Sequence, residues 1–194
     1  DALLHVTPYY NKASQTGLIR HYEYNADRVD LPIILYNVPS RTGVSFTAET
    51  YRHLSQNPQF NGVKEASGNF SLLAHTRFLC GDDFYIWSGN DDQVVPMMAL
   101  GAKGVISVAS NLIPEVMVKM TKLCLDNDFE AASKLQIKYM DLIDALFLEV
   151  NPIPIKAALN LVGMEMGGLR LPLCEMSEKN LETLRSSMAR MGLL

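Results

Sequence analysis

A repeated alternation constrains this chain more than any other feature. Short β-branched or aromatic runs at 2–6, 33–38, 62–66, 84–88 and 104–108 are separated by helix-length, amphipathic segments. The runs start about 20 to 30 residues apart, the size of a strand–helix unit. Antiparallel strands need only a tight turn between them, whereas this spacing brings successive strands together in parallel beneath a cover of helices. The intervening segments fit that cover. Residues 17–28 carry Leu18, Ile19, Tyr22 and Ala26 on one side, and 47–56, 70–79 and 91–100 complete the series. The segment at 47 has a weak start signal, because Thr47 is followed three positions later by Thr50 rather than by an acid.

After residue 108 the rhythm changes. Segments 114–125, 129–148, 152–162 and 177–191 read as helices with no strand between them. Asn151-Pro152-Ile153-Pro154 reads as a helix start, since the N–H that proline lacks has no partner in a first turn. The expected division is a strand–helix array over 1–125 and a helical region over 126–194. Five parallel strands suit an open doubly wound sheet, or the last five strands of an eight-stranded barrel. Composition does not choose between them.

Composition does exclude other classes. A 48% hydrophobic share with only 20% charge is not that of a disordered chain. A net charge of −4, with no two basic residues adjacent, argues against nucleic acid as a partner, which calls for a clustered basic surface. No apolar stretch approaches the roughly 20 residues of a membrane helix. The opening residues lack the charged and apolar regions of a secretory signal. Three widely spaced cysteines (Cys80, Cys124, Cys174) predict a reduced, cytoplasmic protein. Four scattered histidines without ligand spacing predict no metal site.

In strand–helix folds ligands bind where strands end, so those positions hold the candidate chemistry. Lys64 is the sharpest anomaly, a lysine in a run that a parallel sheet buries on both faces. Burial disfavours the ammonium, and the neutral amine is a nucleophile able to form a Schiff base with a carbonyl. The competing reading is a lysine paired with a carboxylate at a strand end. Glu65 points to the opposite face and is not the obvious partner. Tyr36 ends the preceding strand, either as a proton relay near Lys64 or as an amphipathic core residue. Arg41 lies in a loop of Pro, Ser, Thr and Gly, as a fork for a carboxylate or as a solvated charge. Ser88-Gly89-Asn90-Asp91 suits either an anion at a helix start or an ordinary turn.

Seven segments together resemble the dihydrodipicolinate synthase family of the pyruvate-dependent class I aldolases. They are VTPYYNK at 6–12, LYNVPSRTG at 35–43, GVKEASGN at 62–69, SGNDD at 88–92, GVISVASN at 104–111, NPIPIK at 151–156 and LRLPL at 169–173. The resemblance implies a TIM (β/α)8 barrel, here its last five βα units, with a C-terminal helical region. It implies an aldol condensation of pyruvate with aspartate semialdehyde, giving 4-hydroxy-tetrahydrodipicolinate for lysine and diaminopimelate synthesis, with no cofactor. Lys64 becomes the Schiff-base residue and Tyr36 the proton relay. Arg41 holds the semialdehyde carboxylate, while Gly89 and Ile106 line the pyruvate pocket. Tyr10 reaches across a tight dimer interface within a dimer of dimers, and Tyr9 marks a site for lysine as inhibitor. Arg41 favours this reading over sialic acid lyases, which lack an arginine at that place.

Family chains begin with three further βα units, one of which supplies a threonine to the hydroxyl relay. Five barrel strands alone leave two parallel edges and an open interior. The expectation is therefore that a further N-terminal segment completes the barrel. Two alternatives remain at this stage: another pyruvate aldolase or lyase acting on a sugar acid or 2-oxo acid, and a non-catalytic fragment lacking its relay.

Overall fold

The computed structural model describes residues 1–194, which form two compact units, Asp1–Ile106 and Ser107–Leu194. In the first, β1 (Leu3–Val6), β2 (Ile33–Asn37), β3 (Phe60–Glu65) and β4 (Tyr85–Ser88) form one sheet in the order β1-β2-β3-β4, all parallel. The order decides between the two architectures left open by the sequence. A doubly wound sheet reverses direction at a switch point, whereas a barrel adds each strand beside the last. No reversal occurs here.

The helices α1 (Gln15–Ala26), α2 (Pro39–Thr42), α3 (Ala48–Leu54), α4 (Phe70–Cys80) and α5 (Val94–Ala99) fall between or after these strands. The short α2 has no counterpart in the sequence reading. Proline opens it and Gly43, at φ 72°, ends it in the left-handed conformation that favours glycine. The start of α3 is better capped than its sequence suggests: Thr47 Oγ1 accepts from Thr50 N at 3.2 Å. Gln15 adds a tie from α1, accepting from Thr47 N and from the Thr50 hydroxyl.

The fifth run forms no strand. It touches β4 through one parallel bridge, Ser88–Val105, flanked by Lys103 N to Ile86 O and Ile106 N to Ser88 O. Residues 91–100, expected as one helix, divide into a 3-10 turn at Asp91–Gln93 and α5.

Strand periodicity sorts the side chains. In β2, Ile33, Leu35 and Asn37 are buried, while Ile34 and Tyr36 on the other face are half-buried. Leu18, Tyr22, Phe46, Tyr51, Phe60, Val63 and Ile86 are buried in the core of this unit. Each such burial contributes about 1.5–3 kcal/mol. The opposite face of the sheet carries Ile34, Tyr36, Lys64 and Trp87, and that face holds the unusual polar groups.

The second unit is helical: α6 (Pro114–Leu125), α7 (Phe129–Ala145), α8 (Ile153–Leu161) and α9 (Glu178–Arg190). Its apolar residues recur at helical spacing, as in Met117, Met120 and Cys124, or Leu184 and Met188. The sequence division at 125/126 counts α6 with the array, whereas α6 packs here on α7. Asp141 on α7 joins α9 by accepting from Ser187 Oγ at 2.5 Å and Arg190 at 2.6 Å. Glu149 serves the N-terminus of α9, accepting from Ser177 N, Ser177 Oγ and Asn180. No helix is long and apolar enough to cross a membrane.

Candidate active site

The register of the sheet builds the site. Val6 pairs with Tyr36, Tyr36 with Lys64, and Lys64 with Trp87, so four residues from four strands form one row on one face. Lys64 Nζ stands over the Tyr36 ring, 4.4 Å from its centroid. Two residues that are distant in sequence are thereby paired without any loop having to fold over them.

Gly89 closes one side. A Cβ at this position would lie 3.2 Å from both Cγ and Cε of Lys64, and 2.6 Å from the Ala66 Cβ. A larger residue here collides with Ala66 and presses on the Lys64 side chain. The Gly89 N–H is held by Glu65 O at 2.8 Å. Ile106 is anchored next to it, since its N–H donates to Ser88 O. Arg41 is exposed on α2, near enough for its charge to bear on both Lys64 and Tyr36.

The electrostatics favour an uncharged amine. Burial lowers the Lys64 pKa, the buried carboxylate of Asp91 opposes that shift, and the Arg41 charge reinforces it. Burial raises the Tyr36 pKa, with Arg41 acting the other way, so the phenol keeps its proton near neutrality. A separate cavity of about 280 Å³ in the helical unit is lined by Lys156, whose Nζ donates to the Gly168 carbonyl.

Of the residues singled out from sequence, the structure brings together Tyr36, Lys64 and Gly89, with Ile106 and Arg41 at the margin. Tyr9 and Tyr10 stand apart, 70% and 86% exposed after β1, with Tyr10 at φ 71°. Trp87, Asn37 and Tyr51 carried no role in the sequence, and Asp91 figured only in the Ser88–Asp91 segment read as an anion site or a turn. Trp87 was legible as a large aromatic two positions before Gly89, on the Lys64 side of the alternation. Glu65 was set aside because it faces away from Lys64. It does face away, yet it is 3% exposed and accepts from Asn37, Tyr51 and Ser67. No group of three or more His, Cys, Asp or Glu side chains is placed to hold a metal ion.

Comparison with known proteins now adds to the geometry. Residues 1–191 match the model of the dihydrodipicolinate synthetase family. A 4-hydroxy-tetrahydrodipicolinate synthase of Thermoanaerobacter sp. strain X514 is 52% identical over 195 residues, which cover 100% of this chain and 66% of that protein. The dihydrodipicolinate synthase of Cyanidioschyzon merolae, solved with lysine bound, superposes with a TM-score of 0.97 at 42% identity, covering 100% of this chain and 66% of that one. That of Acinetobacter baumannii, complexed with pyruvate, gives 0.96 at 39% identity, with 100% and 67% covered. The chain spans about two thirds of the length of these relatives.

Proposed function

The chain belongs to the dihydrodipicolinate synthetase family, with the TIM-barrel architecture of its structural neighbours, and from that premise we propose a class I aldolase that condenses pyruvate with aspartate semialdehyde. The observation that carries the proposal is the Lys64–Tyr36 pair: a half-buried lysine of lowered pKa, its Nζ 4.4 Å from the ring centroid of a protonated tyrosine. The pyruvate bound to the Acinetobacter baumannii relative supports the choice of keto acid.

Each step follows from these groups. The neutral Lys64 amine adds to the ketone carbon of pyruvate, and loss of water gives an iminium. Its positive charge acidifies the neighbouring methyl group. A proton leaves, and an enamine forms whose carbon attacks the aldehyde carbon of the semialdehyde. The aldehyde oxygen takes up a proton and becomes the hydroxyl. The amino group of the former semialdehyde then displaces Lys64 from the imine, which closes the ring and frees the lysine. The iminium is the electron sink, so the scheme requires no cofactor.

Tyr36 holds a phenolic proton beside the amine, where it can serve the departing water and the new alkoxide. Arg41 offers a planar fork to the semialdehyde carboxylate. Gly89 and Ile106 present backbone to the keto acid. Tyr9 and Tyr10 are large, exposed aromatic residues, and they support self-association into a dimer of dimers. The lysine bound to the Cyanidioschyzon merolae relative supports lysine as an inhibitor, with Tyr9 as its proposed contact. Three unpaired cysteines fit work in the cytoplasm.

Steady-state assay of two variants tests the assignment. Lys64→Ala abolishes turnover. Arg41→Ala raises KM for the semialdehyde about tenfold or more, the worth of a charge-assisted hydrogen bond, and still forms the imine with pyruvate, with the pH profile of trapping moved upward because the Arg41 charge no longer lowers the Lys64 pKa. Turnover by Lys64→Ala, or an unchanged response of Arg41→Ala to the semialdehyde, contradicts the assigned roles.

A further inference from the structure

Behind the Lys64–Tyr36 pair lies a second pair that the reaction scheme does not use. Asn37 and Glu65 occupy the next register position of β2 and β3 and face the helices. Asn37 Nδ2 donates to both Glu65 oxygens, each at 3.1 Å. Tyr51 OH on α3 donates to Oε2 at 2.9 Å, and Ser67 N donates to Oε1 at 2.8 Å. Asn37 also donates to Ser45 Oγ and accepts from Phe46 N, which ties the segment after α2 to the same point. Glu65, Asn37 and Tyr51 are all buried, at 3%, 0% and 0% exposure.

The chemistry of this cluster is directional. Every partner of Glu65 is a neutral N–H or O–H donor, and a carboxylate is the acceptor-only group that satisfies them all. Burying a charge is costly unless it is well bonded, so a carboxylate here needs a reason beyond filling space. An amide in its place turns an NH2 toward a donor and leaves one buried group unpaired. The cluster fixes β2 on β3 at the residues adjacent to Tyr36 and Lys64, and it fixes α2 with its Arg41 through residues 45 and 46.

We propose that Glu65 is a positioning residue: its buried carboxylate, held by Asn37, Tyr51 and Ser67, keeps Lys64 and Tyr36 aligned for imine formation with a 2-oxo acid. This inference rests on the Schiff-base reading. Misplacement by about 1 Å costs on the order of a hundredfold in rate, so a small loss of alignment is measurable while the fold persists.

The test is the rate of borohydride-trapped pyruvyl adduct on the purified protein, followed against pyruvate concentration and pH. Glu65→Gln lowers the saturating trapping rate about tenfold or more and changes the half-saturating pyruvate concentration far less. The pH profile keeps its midpoint, because the charges that shift the Lys64 pKa are those of Asp91 and Arg41 and neither is changed. A rate lost at an unmoved midpoint is a loss of alignment, whereas a shifted midpoint with an unaltered plateau overturns the positioning role. Tyr51→Phe removes one donor and leaves the carboxylate, so it gives a smaller loss of rate; it also carries the test if Glu65→Gln does not fold. Thr76→Val, a buried change on α4 that removes the hydroxyl's bond to Leu72 O, sets the loss expected from destabilisation alone.

The two readings fail differently. No adduct on the wild-type protein overturns the Schiff-base reading itself. A wild-type adduct with unaltered rates in Glu65→Gln and Tyr51→Phe overturns the positioning role. So do losses no larger than that of Thr76→Val at equal thermal stability.

Discussion

At the residue scale, the account turns on how a lysine comes to be reactive. Lys64 loses solvation on a half-buried face, and the Arg41 charge presses in the same direction against the pull of Asp91. The neutral amine is therefore populated at lower pH than for an ordinary lysine of pKa 10.5. Imine trapping with pyruvate rises with pH with a midpoint below that value; a midpoint at or above 10.5 contradicts the depressed pKa. Gly89→Ala tests the space beside the lysine. Its Cβ would lie 2.6 Å from Ala66 Cβ and 3.2 Å from Lys64 Cε, so the Ala66 contact must open and Lys64 must give by a few tenths of an ångström. The expected result is a tenfold or greater fall in trapping rate, by the same alignment argument, with a far-UV spectrum like that of the wild type. Lys64 was legible in the sequence because an ammonium is out of place in an apolar run. The Glu65 cluster was not, since nothing in the order of residues tells that Tyr51 and Asn37 converge on it.

At the element scale, most of the fold was legible. The helices at 114–125 and 70–80 end within a residue of their apolar pattern, because burial of one face decides where they stop. The fifth run was misread as a strand. Gly101 and Gly104, with φ of 95° and 152°, bend the backbone on its approach to β4, and a 3-10 turn begins at Ala109, so only Val105 meets β4 in register. A hydrophobic run shows burial, not how many residues remain extended. The β1–α1 contact carries a pH dependence of its own. The His5 and His21 rings lie 5.3 Å apart between centroids, tilted at 57°, and burial lowers both pKa values from 6.5, with His21 adding to the shift at His5. The unfolded chain then binds more protons than the folded one between the lowered values and 6.5, so stability falls as pH drops through that window. Tm measured from about pH 7 to pH 5, across the ordinary histidine range, declines in the wild type and declines less in His21→Gln. Equal slopes contradict this origin.

At the scale of the whole molecule, the parallel order β1-β2-β3-β4 is the feature that joins fold to chemistry, because it places Val6, Tyr36, Lys64 and Trp87 in one row. Strand spacing predicted a parallel array but not its winding, since open sheets and barrels share the same local periodicity. Tyr9 and Tyr10 are exposed, and the assembly proposed for them is open to test. If the proposed self-association holds, the expected sedimentation result is a species heavier than the 21.6 kDa chain, shifted toward the single chain in Tyr10→Ala; a wild-type species of single-chain mass contradicts self-association. The central claim is the covalent bond to Lys64. It is tested most directly by peptide-mapped mass spectrometry after incubation with pyruvate and borohydride. The account predicts one reduced pyruvyl adduct, on Lys64, that is absent from Lys64→Ala. No adduct, or an adduct carried by another lysine, contradicts it.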